Sequence, residues 1–163
     1  EMCIRDSSGA ALLGAELGAL SVDHLEQISE TDAEALAATD TVATILPGPA
    51  LMLRAGTPPV RALLEAGATV AVGSDANAGT FGEPSMPLAI GLAVATGFTI
   101  DEAMWAATAG GAGALGLDGT VGRLMPGTSA DLVAWDAEHE GAFAHRLGAV
   151  RPLWTWFEGE SDD

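Results

Sequence analysis

The 163-residue chain contains no lysine and no tyrosine, one cysteine, and only 6 basic residues against 23 acidic ones, for a formal net charge of -17. A groove for nucleic acid needs clustered Lys and Arg to neutralise phosphates, so this deficit excludes a phosphate-backbone ligand. Cys3 alone closes no internal disulfide and builds no thiolate cluster, which excludes a stapled secreted scaffold and suits a reducing, cytoplasmic interior. Apolar runs are cut by Gly, Pro or charge before the ~18 residues that a bilayer span requires, and no basic-then-apolar leader opens the sequence, so a soluble protein is expected. What is plentiful is apolar: 48% of residues are hydrophobic and the mean hydropathy is +0.30, which excludes a disordered chain. The length fits one compact domain or a piece of a larger one. The acid excess reads as solubility or salt adaptation and assigns no function.

From residue 13 onward, short apolar runs alternate with helical patterns, the signature of a parallel sheet with crossover helices. The first strand is expected over Leu17–Val22, running into Asp23 and His24. Ser29 with Asp32 three residues on predicts the start of an acidic, alanine-rich helix. A second strand is expected over Val42–Leu46, stopped by Pro47 and Gly48. Pro58 and Pro59 mark a helix start, with Gly67 at its C-cap. A third strand is expected over Thr69–Ser74, running into Asp75. Ser85 predicts a cap for a helix over Met86–Ala95 that Gly97 ends, and Thr99 with Glu102 predicts a capping box for a further helix to about Ala109. Both of these helices are apolar on most faces and are expected to be buried. Beyond Gly116 the texture becomes antiparallel β, with a Pro126-Gly127 turn between strand-like runs and alternation in the PLWTWFEG segment. The domain boundary is expected near Asp118, giving units over 1–118 and 119–163.

In α/β sheets, ligand sites form at the carboxyl ends of the strands. Those ends carry Asp23-His24, Pro47-Gly48 and Asp75-Ala76-Asn77. Imidazole and carboxylate are both metal ligands and proton carriers, so His24 and Asp75, at separate strand ends that could share one pocket, point to metal-assisted hydrolysis. Each also has a plainer reading. A His beside an Asp is an ordinary surface residue at the start of a helix, and Asp and Asn before Gly are turn formers that bind their own backbone. His139 and His145 read as exposed structural residues. Gly111, Gly113 and Gly116 match GxGxxG in form, but they follow a helix rather than a strand, which rejects a dinucleotide site. Trp154 and Trp156 have the period of a strand with one buried face and read as core packing.

Three blocks in order, GAELGALSVDHLE (Gly14–Glu26), VGSDANAGT (Val72–Thr80) and ALGLDGTVGRLMPGTSADLVAWD (Ala114–Asp136), make the chain from Gly9 onward resemble the C-terminal part of the imidazolonepropionase branch of the amidohydrolases. The last block is shared across the superfamily, and DHLE followed by SDxNxG narrows it to that branch. The resemblance implies an α/β fold: about strands 6 to 8 of a metal-dependent hydrolase (β/α)8 barrel, plus a piece of a small β-sandwich. It implies one divalent ion, Zn or Fe, with Asp75 as a ligand that takes the proton from metal-bound water. His24 matches the catalytic His that orients hydroxide and stabilises the oxyanion. Asn77, Gly79 and Thr80 match the loop that holds the substrate's propionate, with backbone amides freed by Gly79 as donors. A small-molecule substrate, 4-imidazolone-5-propanoate, and a homodimeric parent are implied.

The family's HxH metal pair and its substrate Arg and Tyr would lie upstream of this sequence. Its HxxE strand, aligned without gaps, falls on Glu1 and Ile4, neither of which fits. The opening EMCIRDSS is therefore expected to be foreign to the family. With one carboxylate ligand where a catalytic zinc takes three or more protein ligands, the chain alone is expected to be inactive. The other readings are a different amidohydrolase, a cyclic amidase or a deaminase, and a non-catalytic truncated module.

Overall fold

The computed structural model describes residues 9–161. The expectations that fall on Glu1, Cys3 and Ile4, including the foreign opening, lie outside the described residues. Two three-stranded sheets organise the rest. The first is parallel, in the order β1 (Ser21–Asp23), β2 (Val42–Ile45), β3 (Val70–Val72). Its register sets Asp23 opposite Thr44 and Thr44 opposite Ala71, so all three strands leave the sheet at the same edge.

Helices cover this sheet where the capping signals place them. α1 (Ala10–Glu16) precedes β1, and α2 (Glu30–Ala37) follows it. The Ser29 hydroxyl accepts the Asp32 amide at 3.1 Å, which satisfies a donor that the first turn of α2 leaves free. α3 (Pro47–Leu53) leaves β2, and α4 (Val60–Glu65) starts behind Pro58-Pro59 and stops at Gly67, whose φ of 88° supplies the left-handed C-terminal turn. α5 (Met86–Ala95) has Ser85 accepting the Leu88 amide. α6 (Ile100–Trp105) carries a complete capping box: the Thr99 hydroxyl accepts from Glu102 N, and the Glu102 carboxylate accepts from Thr99 N at 2.8 Å. The Thr99 amide and then the Arg61 guanidinium hold the Glu102 carboxyl below its ordinary pKa.

The chain then widens into a π-helical turn, Ala106–Gly110, before the short α7 (Gly111–Ala114). Gly110 lies so close to β3 that a Cβ there would run into the Val70 carbonyl oxygen. Only glycine allows the helix backbone to rest directly on the strand. The core sits between the helices and this sheet, and Leu25, Leu36, Ile45, Leu63, Val60 and Val70 are fully buried in it.

The second sheet is antiparallel, as the tail's texture predicts: β4 (Leu132–Trp135), β5 (Pro152–Phe157) and β6 (Glu160–Ser161), with α8 (Ala142–His145) between β4 and β5. Trp135 and Phe143 meet edge to face at 5.4 Å and join α8 to β4. The Asp136 carboxylate ties the β4–β5 connection together, accepting from Arg151 N at 2.7 Å and from Arg146 Nη2 at 2.8 Å.

Several expectations need correction. Leu17 closes α1 rather than opening a strand, because Gly18 takes φ 73° and the helix needs its C-terminal turn there, so the strand shrinks to Ser21–Asp23. Pro47-Gly48 does not merely stop β2. Proline at the first helical position opens α3. The third strand is Val70–Val72, inside the longer expected run. α5 is largely buried, but the helix after it turns Asp101, Trp105 and Thr108 to solvent. Val121–Met125 forms no strand. Trp156 is half-buried, whereas Trp154 is 59% exposed, because no described layer covers that end of β5. His139 and His145 are exposed, as expected.

Candidate active site

Two strand ends converge on the exit edge of the parallel sheet. The His24 amide donates to the Thr44 carbonyl at 3.0 Å, and the Gly73 amide donates to the Ile45 carbonyl at 3.1 Å, so both outer strands stay bound to β2 up to the point where they leave it. With strands about 4.8 Å apart, His24 after β1 and Asp75 after β3 flank the central strand from either side. Sequence reasoning placed these two residues at one edge, and the topology puts them there.

The exits are strained. His24, Leu25 and Asp75 all have positive φ, 77°, 65° and 48°. For residues with a side chain this conformation costs on the order of 1–3 kcal/mol each. Full burial of Leu25 in the core, worth roughly 1.5–3 kcal/mol, offsets the cost at Leu25 itself and pins the turn.

The polar atoms of this edge are incompletely paired. Among the described residues, the buried side-chain atoms without a hydrogen-bond partner are His24 Nδ1, both carboxylate oxygens of Glu26, and Thr44 Oγ1. All belong to the exits of β1 and β2. The Glu26 side chain is 1% exposed and His24 13%, and Glu26 Oε1 stands 3.4 Å from His24 Nδ1, in ion-pair range without hydrogen-bond alignment. An unpaired buried polar atom costs about 1–3 kcal/mol, and these four lie together at the exits of β1 and β2. Glu26 was missed in the sequence because DHLE draws the eye to its His, and nothing in the residue order shows that Glu26 is buried.

The Asp75–Phe81 loop is organised by Asn77. Its Nδ2 donates to the Asp75 carbonyl at 2.7 Å and to Thr80 Oγ1 at 2.9 Å, and its Oδ1 accepts from Gly79 N at 2.9 Å and Thr80 N at 2.8 Å. Two donors and two lone pairs exhaust a primary amide. The expectation of backbone amides freed by Gly79 is therefore corrected: in this structure they are taken by Asn77, and the loop is a closed Asx turn. Phe81 at the loop's end packs on Gly48, where any Cβ would meet the Phe81 ring. The loop is thereby clamped to the exit of β2.

The donor set of the described residues does not suffice for a metal. Among the described residues there is no group of three or more His, Cys, Asp or Glu side chains placed to hold an ion. Asp75, Asp23, His24 and Glu26 all lie at this edge without forming such a group, and a catalytic zinc takes about three protein ligands. A cleft of 630 Å³ between α5, α6 and β4, lined by Met86, Ile90, Met104 and Trp156, is apolar and lies away from the strand exits.

The parallel sheet with crossover helices, its strained exits and the acid and imidazole at one edge define a class. The sequence pattern of the amidohydrolase family matches residues 9–161, and the chain belongs to that family. An adenosine deaminase from Xanthomonas campestris, solved with bound zinc, superposes with a TM-score of 0.77 over 86% of this chain and 36% of its own, at 23% identity, which shows the shared fold. Within the family, the chain is 51% identical to the imidazolonepropionase of Nocardia farcinica over 148 residues, 90% of this chain and 38% of that enzyme. It is 46% identical to the imidazolonepropionase of Streptomyces griseus over 149 residues, 91% of this chain and 38% of that enzyme. The chain thus spans well under half the length of these relatives.

Proposed function

We propose that the chain is the C-terminal part of an enzyme that hydrolyses the cyclic amide of 4-imidazolone-5-propanoate to N-formimidoyl-L-glutamate. The identity to imidazolonepropionases over nine-tenths of the chain supports this substrate. The observation that carries the site is the set of unpaired buried polar atoms at the edge where His24 and Asp75 emerge. In this reading β1–β3 are strands 6 to 8 of the (β/α)8 barrel, the second sheet belongs to a β-sandwich, and the boundary falls near Asp118.

The reaction adds water across a ring amide: a C–O bond forms, the ring C–N bond breaks, and the nitrogen leaves with a proton. A Zn or Fe ion, held mainly by residues outside this chain, would supply the acidity that makes water a nucleophile near neutral pH. This chain's part is Asp75, a carboxylate ligand and proton acceptor, and His24, which orients the nucleophile and stabilises the developing oxyanion. The loop of Asn77, Gly79 and Thr80 faces the substrate's carboxylate with a shape that Asn77 maintains. No helix among the described residues is long and apolar enough to cross a membrane, and a cytoplasmic homodimer is proposed for the whole enzyme.

Two measurements test this. Metal analysis of the 163-residue chain is expected to give substoichiometric Zn and Fe and no imidazolone turnover, and stoichiometric metal with activity would overturn the account of missing ligands. In the complete enzyme, Asp75→Asn and His24→Ala are each expected to lower kcat by about 10²–10⁴-fold, the range for a proton-transfer group. Full activity in either would overturn the site.

A further inference from the structure

We infer that Glu26 is the positioning residue for His24. The inference rests on the proposed function only in taking His24 as a working group. Its own support is geometric. Glu26 is a carboxylate whose side chain is 1% exposed, with neither oxygen hydrogen-bonded. A buried charge is kept only where a partner compensates it. The basic group beside it is the His24 imidazole, whose Nδ1 lies 3.4 Å from Glu26 Oε1 and is itself without a hydrogen bond. The arrangement is short-range and rigid: two residues apart, these side chains flank Leu25, which is locked in the core.

An imidazole's tautomer is set by what its second nitrogen meets. A carboxylate at Nδ1 keeps a proton there and turns Nε2 toward the reacting water, where it orients the nucleophile by accepting from it; a ring that gains its second proton is stabilised by the negative partner behind it and donates from Nε2 to the oxyanion. Glu26 touches neither substrate nor metal in this scheme. It acts through His24 alone, and a small rotation that shortens the 3.4 Å separation completes the hydrogen bond. A purely structural role fits poorly, because a buried carboxylate without hydrogen bonds destabilises its surroundings and an apolar or neutral isostere would serve the packing better.

The complete enzyme, metal-loaded and assayed with 4-imidazolone-5-propanoate, tests the inference through Glu26→Gln, Glu26→Met, His24→Ala and the double variant. Expected for Glu26→Gln and Glu26→Met is a loss of kcat of about 10- to 100-fold, the range for an outer partner of a functional imidazole. KM should stay within about twofold, metal content should be unchanged, and Tm should be equal or higher because a buried charge is gone. In the His24→Ala background, Glu26→Gln should cost nothing further, since two residues acting as a unit are non-additive. In addition, ¹⁵N-histidine spectra of the wild-type enzyme should show His24 protonated at Nδ1, with the resonances assigned by their loss in His24→Ala. A His24 protonated at Nε2 only, or full kcat in Glu26→Gln, would overturn the inference. If His24→Ala abolishes turnover while Glu26→Gln does not, the proposed function stands and this inference falls. If His24→Ala is fully active, both fall.

Discussion

Replacing Asn77 isolates how much of the Asp75–Phe81 loop one side chain holds. Asn77→Ala removes five side-chain hydrogen bonds, of 2.7–3.1 Å, two of them shared with the one Thr80 hydroxyl. A neutral hydrogen bond contributes about 0.5–1.5 kcal/mol net, and Asn77 is half-buried, so the lower end applies and the loop loses about 2 kcal/mol. Asn77→Asp keeps the acceptor for Gly79 N and Thr80 N, but it loses both donors and sets a negative charge against the Asp75 carbonyl, for a loss of about 1 kcal/mol. Because 1.4 kcal/mol is a factor of ten in an equilibrium, the Gly79 and Thr80 amides should exchange with solvent about 30-fold faster in the Ala variant and about 5-fold faster in the Asp variant. Hydrogen exchange followed by NMR or mass spectrometry reads this directly. In the complete enzyme, the same Ala variant should raise KM for imidazolonepropanoate, since the substrate would have to order a loop that arrives ordered in the wild type. Equal protection of Gly79 and Thr80 in wild type and Ala variant would refute the reasoning, and unchanged KM would favour another ring substrate.

Further outcomes follow from packing and charge. Gly110→Ala should destabilise by about 1–3 kcal/mol, the usual cost of overpacking, because the new methyl meets the Val70 carbonyl. Gly113→Ala, whose Cβ would touch Val42 Cγ2 at an ordinary 3.6 Å, should stabilise by up to about 1 kcal/mol through helix propensity. Chemical denaturation gives both signs, and equal effects would discard the close-approach argument. Asp136 has its carboxyl pKa held below the usual value, first by the Arg151 amide and then by the Arg146 guanidinium. A depressed folded pKa contributes stability above the unfolded pKa of about 4 and loses it as pH falls through the folded value. Asp136→Asn should therefore have a lower Tm than wild type at pH 7, with the gap closing below about pH 4, and a gap independent of pH would contradict this.

Local chemistry made much of the fold legible. Ser29, Ser85 and the Thr99–Glu102 box mark helix starts whose partners lie three residues away, so the signal is complete in the residue order. The strands were legible in kind and less so in extent. LGALSV reads as one apolar run, but Gly18 in a left-handed conformation ends a helix inside it, a choice made by the packing of α1. Asp75 and His24 stand out in the residue order because strand exits are where such sheets carry ligand sites. The closed hydrogen-bond set of Asn77 was not legible, because composition shows that an Asn can cap a loop and not whether its amide is already spent. Glu26 was invisible for a related reason: the other acidic side chains among the described residues are exposed or half-exposed, and the doubled left-handed turn at His24 and Leu25 carries this one inward.

That doubled turn also works as a spring held by a peg. The two residues sit in a backbone state they would leave if released, and the peg is the Leu25 side chain seated in the interior. Loosening of the interior near Leu25 therefore reaches His24 without any altered residue at the rim, since the backbone relaxes toward an extended path and carries the imidazole away from its station. Under the role proposed for His24, damage deep inside the protein would surface as lost turnover of the complete enzyme before it surfaced as melting.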